Sequence, residues 1–417
     1  MRIVPRNLQA AVLRGEYMKA DANYKFAPLD VHTLRLLQEH WNEVRLQLAG
    51  EAIARYDIFD GLHFNHRKFE TFLNSRSLNK AWPHTPKSRA RSLDKDTWEM
   101  MCGLHPELEP VYQLYKTVTM PRLNIACDQD GRNRVLLGAF GALTSRNTPG
   151  ADDRGTYIFG PAKWVRFLIK PPEGWALAYI DWACQEYGIG AVLSSDKNML
   201  QSYAAGDPYM AFAILAGAAP PDATKSTHPA QRKLYKSATL AIGYGQTVLG
   251  FCQKTGVTTL TAERVFKDYR KLYPRYIAWR ERQVDTFGIS LELSTRLGWT
   301  LHHGERVKPN TLLNFTAQAT GAEMLRLAVM EMMHCGVEVC CPVHDAVLIQ
   351  APMNQIESVV AQARAAMDAA SALLLGGYVL RNEYEIFAYP QRFFDKDGKD
   401  TWVEIREIVK NLEPPAA

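Results

Sequence analysis

The sequence predicts an α+β fold, and three observations carry that expectation. Apolar residues recur at helical spacing through long segments, as Leu34, Leu37, Trp41, Val44 and Leu48 do. Short apolar runs bounded by turn residues, at 175–181 and 337–349, read instead as strands. The 417 residues are 47% hydrophobic and 22% charged, a globular profile long enough for more than one domain or for a domain with subdomains.

The elements follow in order. Residues 1–30 lack a clear pattern and read as a connecting or capping segment. A long amphipathic helix is expected over 30–51 and another over 68–78. Residues 81–95, rich in Pro, Ser, Arg and Lys, read as a basic loop before a helix over 96–120. From 121 the pattern changes, and 123–141 reads as strands around the Asp128-Gln-Asp-Gly131 turn, with 175–181 a further strand. Helices resume over 185–287 with one clear break at 218–228, where Pro220, Pro221 and Asp222 supply turn chemistry. Strands over 290–301 and 337–349 flank a helix over 312–333, and 354–374 is the last long helix expected.

Charge and cysteine content narrow the partners only a little. A net charge of +5 permits nucleic acid without requiring it. Seven cysteines in no even framework suit reduced thiols in a cytosolic setting. No apolar run is long enough to cross a membrane, and the first residues do not read as a secretory signal.

Several stretches carry chemistry. Arg232, Lys236, Leu240 and Tyr244 recur every four residues, so on a helix they share one face. Two cations followed by a ring suit a nucleoside triphosphate, and a solvated basic face is the plainer reading. Gly243 and Gly245 would let a chain or a flat ligand approach closely. Asp181 and Asp345 each stand at a predicted strand end, where paired carboxylates can hold hard divalent ions beside phosphates; singly, each could merely cap a turn. The cysteines and histidines from His334 to His344 invite a zinc reading, but they sit on a strand whose neighbours alternate sides, so buried thiols are the simpler account. Basic and aromatic residues interleave over 264–282, which fits either a nucleic-acid face or a helix with its rings buried.

Taken together, Asp181-Trp-Ala-Cys-Gln-Glu186, Arg232 through Tyr244-Gly245, and Val343-His344-Asp345 resemble motifs A, B and C of the family A DNA polymerases, the bacterial DNA polymerase I type. Thr144-Ser-Arg146 resembles the family's Thr-Gly-Arg, and Asn314 with Gln318 its minor-groove pair. The resemblance covers the chain from about residue 30 onward and implies a right-hand fold. A thumb is expected over 31–120, with the basic loop 87–91 near its tip, then palm over 121–195 and 300–417 and helical fingers over 196–299. Residues 1–30 would be the remnant of a 3′–5′ exonuclease domain whose body is gone.

The resemblance also implies roles. Asp181, Asp345 and the Trp182 carbonyl would hold two Mg²⁺ ions, with Mn²⁺ able to substitute. Arg232, Lys236, Leu240, Tyr244, Glu186 and Trp182 would form the dNTP site, with Lys236 protonating the leaving pyrophosphate and Glu186 occupying the space of a ribose 2′-hydroxyl. Arg146, Asn314, Gln318 and His344 would touch primer–template DNA. The expected protein is a cytoplasmic, nucleoid-associated monomer of bacterial or phage type that synthesises DNA without proofreading. The alternatives are a single-subunit RNA polymerase, which Glu186 opposes, and an inactive DNA-binding relative. Four positions depart from the pattern: Ala346 where the family has Glu, Leu240 for Phe or Tyr, Cys184 for Gln, and Asn310 for Arg.

Overall fold

The computed structural model describes residues 5–85, 88–150, 155–304 and 307–412, with side chains from residue 11 onward. Lys87, expected at the tip of the basic loop, lies outside the described residues.

The first 30 residues are more than a connector. They form helix α1 (Pro5–Asp21), which packs along a long central helix, and residues that run on into the sheet. Tyr17 is buried, and its hydroxyl shares hydrogen bonds with Tyr24 (2.9 Å) and Asn147 (2.8 Å). The Lys25 and Phe26 amides donate to the carbonyls of Val339 and Cys340, both at 2.9 Å.

The expected helix over 30–51 is two, α2 (Val31–Glu39) and α3 (Trp41–Ala49), broken at His40, where Trp41 stacks on Trp164 at 6.0 Å. Then come α4 (Ala52–Tyr56), a hairpin β1 (Phe59–Asp60) and β2 (His63–Phe64), and α5 (His66–Ser75). The helix expected over 96–120 is also two, α6 (Lys95–Leu104) and α7 (Glu109–Val118). Pro106 explains that break, because it has no N–H to continue the ladder. These elements close around their own core, in which Phe69, Trp82 and Trp98 meet edge to face or tilted.

Residues 123–141 are mostly irregular, and the strands expected there shrink to β3 (Leu137–Gly138), paired with β4 (Thr148–Pro149). The main sheet follows with β5 (Trp175–Trp182). Seven helices come next: α8 (Gln185–Ser194), α9 (Lys197–Ala204), α10 (Pro208–Leu215), α11 (Pro229–Gly243), α12 (Val248–Thr255), α13 (Thr259–Leu272) and α14 (Pro274–Ser290). Their extra breaks are capped by Asp196, Asp207, Thr247 and Thr258, whose side chains accept from amides of the following turn. Helix α12 meets α6, with Gly256 (φ 71°) against the backbone of Gly103.

The hairpin β6 (Glu292–Ser294) and β7 (Thr300–His302) leads to the central helix α15 (Pro309–His334). Strands β8 (Glu338–Val343) and β9 (Ala346–Pro352) are followed by α16 (Ile356–Leu374). That helix is not the last: β10 (Asn382–Ala388) and α17 (Lys399–Leu412) follow. The antiparallel sheet has the order β10-β5-β9-β8, with α15 and α16 packed against it. The fold is α+β, as expected, and its main sheet is antiparallel throughout. Among the described residues no helix is long and apolar enough to cross a membrane.

Candidate active site

Asp181 stands near the end of β5, directly opposite Ala346 of β9 and Glu383 of β10. The β8–β9 hairpin turns on His344 (φ 56°) and Asp345, which brings the second aspartate beside the first. The Trp182 amide donates to the Asp345 carbonyl at 3.4 Å and ties the two strand ends together, while the Trp182 ring is buried. Burial, then the charges of Asp345 and Glu383, push the Asp181 carboxyl up to about 6. Burial also raises Asp345, against Arg146 and His344.

That shift has a signed consequence. A carboxyl raised in the folded state favours folding while it is protonated, and the contribution is lost as pH rises from about 4 towards 6. Asp181→Asn is therefore expected to stabilise the metal-free chain by about 1–3 kcal/mol at pH 7.5. Denaturant melts at pH 7.5 and below pH 4 check this; the gain should vanish in acid.

Helix α11 meets the site at Tyr244. Tyr235, Ala238, Thr239 and Ile242 bury one side, which leaves Lys236, Leu240 and Tyr244 exposed and Arg232 half-buried on the other. Arg232 pairs with Asp207 of the α10 cap and lies over the Tyr209 ring at 5.6 Å. The Lys236 ammonium lies 5.8 Å from the same ring and forms no salt bridge among the described residues, with the Asp397 carboxylate acting on it from further off. Tyr209 in turn faces the Cys184 thiol. The sequence reading missed Asp207 and Tyr209. The only local signal was the Asp207-Pro208 helix start.

Glu186 joins the two sides of the site. Arg146 donates to it at 2.8 Å and the Tyr244 hydroxyl at 3.4 Å. Arg146 is presented by a tight loop in which Ser145 is left-handed (φ 62°), where the family motif has glycine. The buried Arg326 of α15 holds that loop, donating to the Ser145 carbonyl and hydroxyl, both at 2.7 Å. This residue also escaped the sequence reading, as sequence spacing gives no sign that it meets Ser145.

Helix α15 brings Gln318 to Tyr244, while the Asn314 side chain donates to the Asn310 carbonyl of its own helix at 3.2 Å. Gly245 (φ 67°) approaches this same helix, where a Cβ would lie 2.8 Å from Asn310 and Leu313, so its space serves the chain's own packing. The basic–aromatic stretch proves mainly structural: Phe266, Tyr269, Tyr273, Tyr276 and Trp279 are buried, and Arg280 donates to the carbonyls of Ile242 (2.8 Å) and Gly243 (2.6 Å). Cys340 and Cys341 are buried core thiols, whereas His344 is exposed.

Asp181, Asp345 and nearby backbone carbonyls offer only oxygen donors, a set that fits a hard cation such as Mg²⁺ better than zinc. Among the described residues no three His, Cys, Asp or Glu side chains converge as a ready-made cage.

The profile described as DNA polymerase family A matches residues 160–379. The chain belongs to this family. This family A chain is 24% identical over 311 residues to "DNA polymerase I, thermostable" of Thermus thermophilus, a match covering 69% of it and 37% of that protein. It is 25% identical over 192 residues to the DNA polymerase of Mycobacterium phage D29, covering 45% and 30% of the two chains. It thus spans 37% of the Thermus relative's length. Its fold is that of the POL domain of Pol1 from M. smegmatis, solved in complex with DNA primer-template and dNTP, with a TM-score of 0.72 and 18% identity over 94% of this chain and 70% of that one. The family A fold accounts for the antiparallel sheet and the helical region facing it.

Proposed function

We propose that this chain carries out template-directed DNA synthesis, adding dNTPs to the 3′-hydroxyl of a primer. One observation carries the reading: two carboxylates adjoin at neighbouring strand ends, beside a Glu186 that is met by Arg146 and by Tyr244 from the helix that also carries Arg232 and Lys236. Residues 31–120 are assigned as thumb, 121–195 and 300–417 as palm, and 196–299 as fingers; the separate core around Trp82 and Trp98 supports the first assignment.

Asp181, Asp345 and the Trp182 carbonyl are the residues that would hold two Mg²⁺ ions. When bound, these ions supply activation of the 3′-hydroxyl and neutralisation of the triphosphate. The chain's own groups do the rest. Arg232 exchanges Asp207 for a phosphate, a swap between two charge-assisted bonds of similar kind. Lys236, held over Tyr209, gives a proton to the departing pyrophosphate. Arg146, Asn314, Gln318 and His344 contact primer–template DNA; the minor-groove acceptors available to the first three are common to all correct pairs, so shape is sensed without sequence. We read this polymerase region as a monomer whose described residues supply synthesis and no 3′–5′ excision of their own.

Glu186, held from two sides, occupies the sugar edge of the site. Glu186→Ala is expected to lower the preference for dNTPs over NTPs roughly 10²-fold, read as the ratio of kcat/KM values.

The deciding experiment is extension of a recessed primer with Mg²⁺, offering dNTPs or NTPs, with a third arm lacking nucleotides. Extension with dNTPs alone and no shortening of the primer is the expected result. Extension with NTPs would turn the reading to an RNA polymerase. Tight binding of primer–template without extension would make the chain an inactive relative.

A further inference from the structure

We propose that Glu383 supplies, from the neighbouring strand, the outer carboxylate that Ala346 does not. It would act as a positioning residue, accepting hydrogen bonds from the waters of a divalent ion held by Asp181 and Asp345. The inference rests on the reading of the site given above.

The register places Glu383, Asp181 and Ala346 in one row across β10, β5 and β9. Directly opposed residues of antiparallel strands project from the same face, with Cβ atoms roughly 5 Å apart. The other face of β10 is occupied: the Asn382 side chain bonds Arg364 (2.6 Å) and Asp368 (2.7 Å) of α16, and the Tyr384 ring lies 5.1 Å from the Arg364 guanidinium. Glu383 therefore points to the cleft side with Asp181. A carboxylate missing on one side of Asp181 is present on the other.

Glu383 is exposed, and among the described residues it makes no hydrogen bond or ion pair. Like charges directly opposed on adjacent strands are unfavourable, and among the described residues neither carboxylate has a side-chain hydrogen bond or ion pair. A divalent cation would. Since no three His, Cys, Asp or Glu side chains converge among the described residues, Glu383 is not placed as an inner ligand. Mg²⁺ keeps several of its waters, however, and carboxylates that hold such waters commonly set affinity.

The test is a Mn²⁺ titration of the full chain without DNA, following free Mn²⁺ by electron paramagnetic resonance. Glu383→Gln is expected to weaken binding about tenfold. Glu385→Gln, one pair further along the same face, should leave it within about twofold. Adding Ala346→Glu to Glu383→Gln should recover most of the affinity. Equal losses from the two glutamine variants would mean a general field effect and overturn the proposal, as would unchanged binding in Glu383→Gln. If Asp181→Ala also leaves Mn²⁺ binding intact, the reading of the site itself has failed; if only Glu383→Gln is silent, that reading stands and this inference alone falls.

Discussion

Asp345→Ala is expected to lower primer extension by about three orders of magnitude or more while leaving the fold intact. Asp345 sits on the tight β8–β9 turn, which is closed by the Val343–Ala346 pairing on either side of it and by its left-handed neighbour His344. Burial raises the Asp345 carboxyl, so removing it relieves an unfavourable charge in the metal-free chain. Loss of activity with unchanged or higher thermal stability is the signature of a group kept for chemistry. Single-turnover extension and melting on the same preparation test it. If the variant extends at the wild-type rate, Asp345 is not a ligand and the site must be sought elsewhere.

Lys236→Ala should reduce kcat roughly 10²- to 10⁴-fold, the range removed with a general acid. The ammonium makes no salt bridge among the described residues, with Asp397 acting on it only at longer range, and it rests over an aromatic face, which leaves its protons free for an incoming oxyanion. Lys236→Arg separates charge from proton supply, because a guanidinium does not give up its proton near neutral pH. It should recover triphosphate binding, seen as KM, and little of kcat. Full recovery of kcat would leave Lys236 a phosphate-binding charge and no acid.

How much of this could be read beforehand depends on how local the signal is. Asp181 and Asp345 were legible because each ends or turns an apolar run, and the α11 face because its period is four residues. Helix breaks at Asp196, Asp207, Thr247 and Thr258 carried capping residues and could have been found. So could α17, where Trp402, Ile405 and Val409 fall at helical spacing. Strand β10 is harder, since its exposed half reads as polar loop. The aromatics of α13 and α14 could not be assigned to core or ligand from sequence, since both uses place them on one helix face. Arg326 with Ser145 and Arg232 with Asp207 depend on contacts across 181 and 25 residues, which only the folded chain creates.

The amides of Lys25 and Phe26 lie along β8, the outermost strand on that side of the sheet. An uncovered strand edge is a template for pairing with another molecule. The chain's opening segment therefore works as a guard against self-association. A version shortened to begin at Asp30, attractive if those residues are taken for a spent linker, would trade a few disposable-looking residues for a sticky rim on the catalytic sheet.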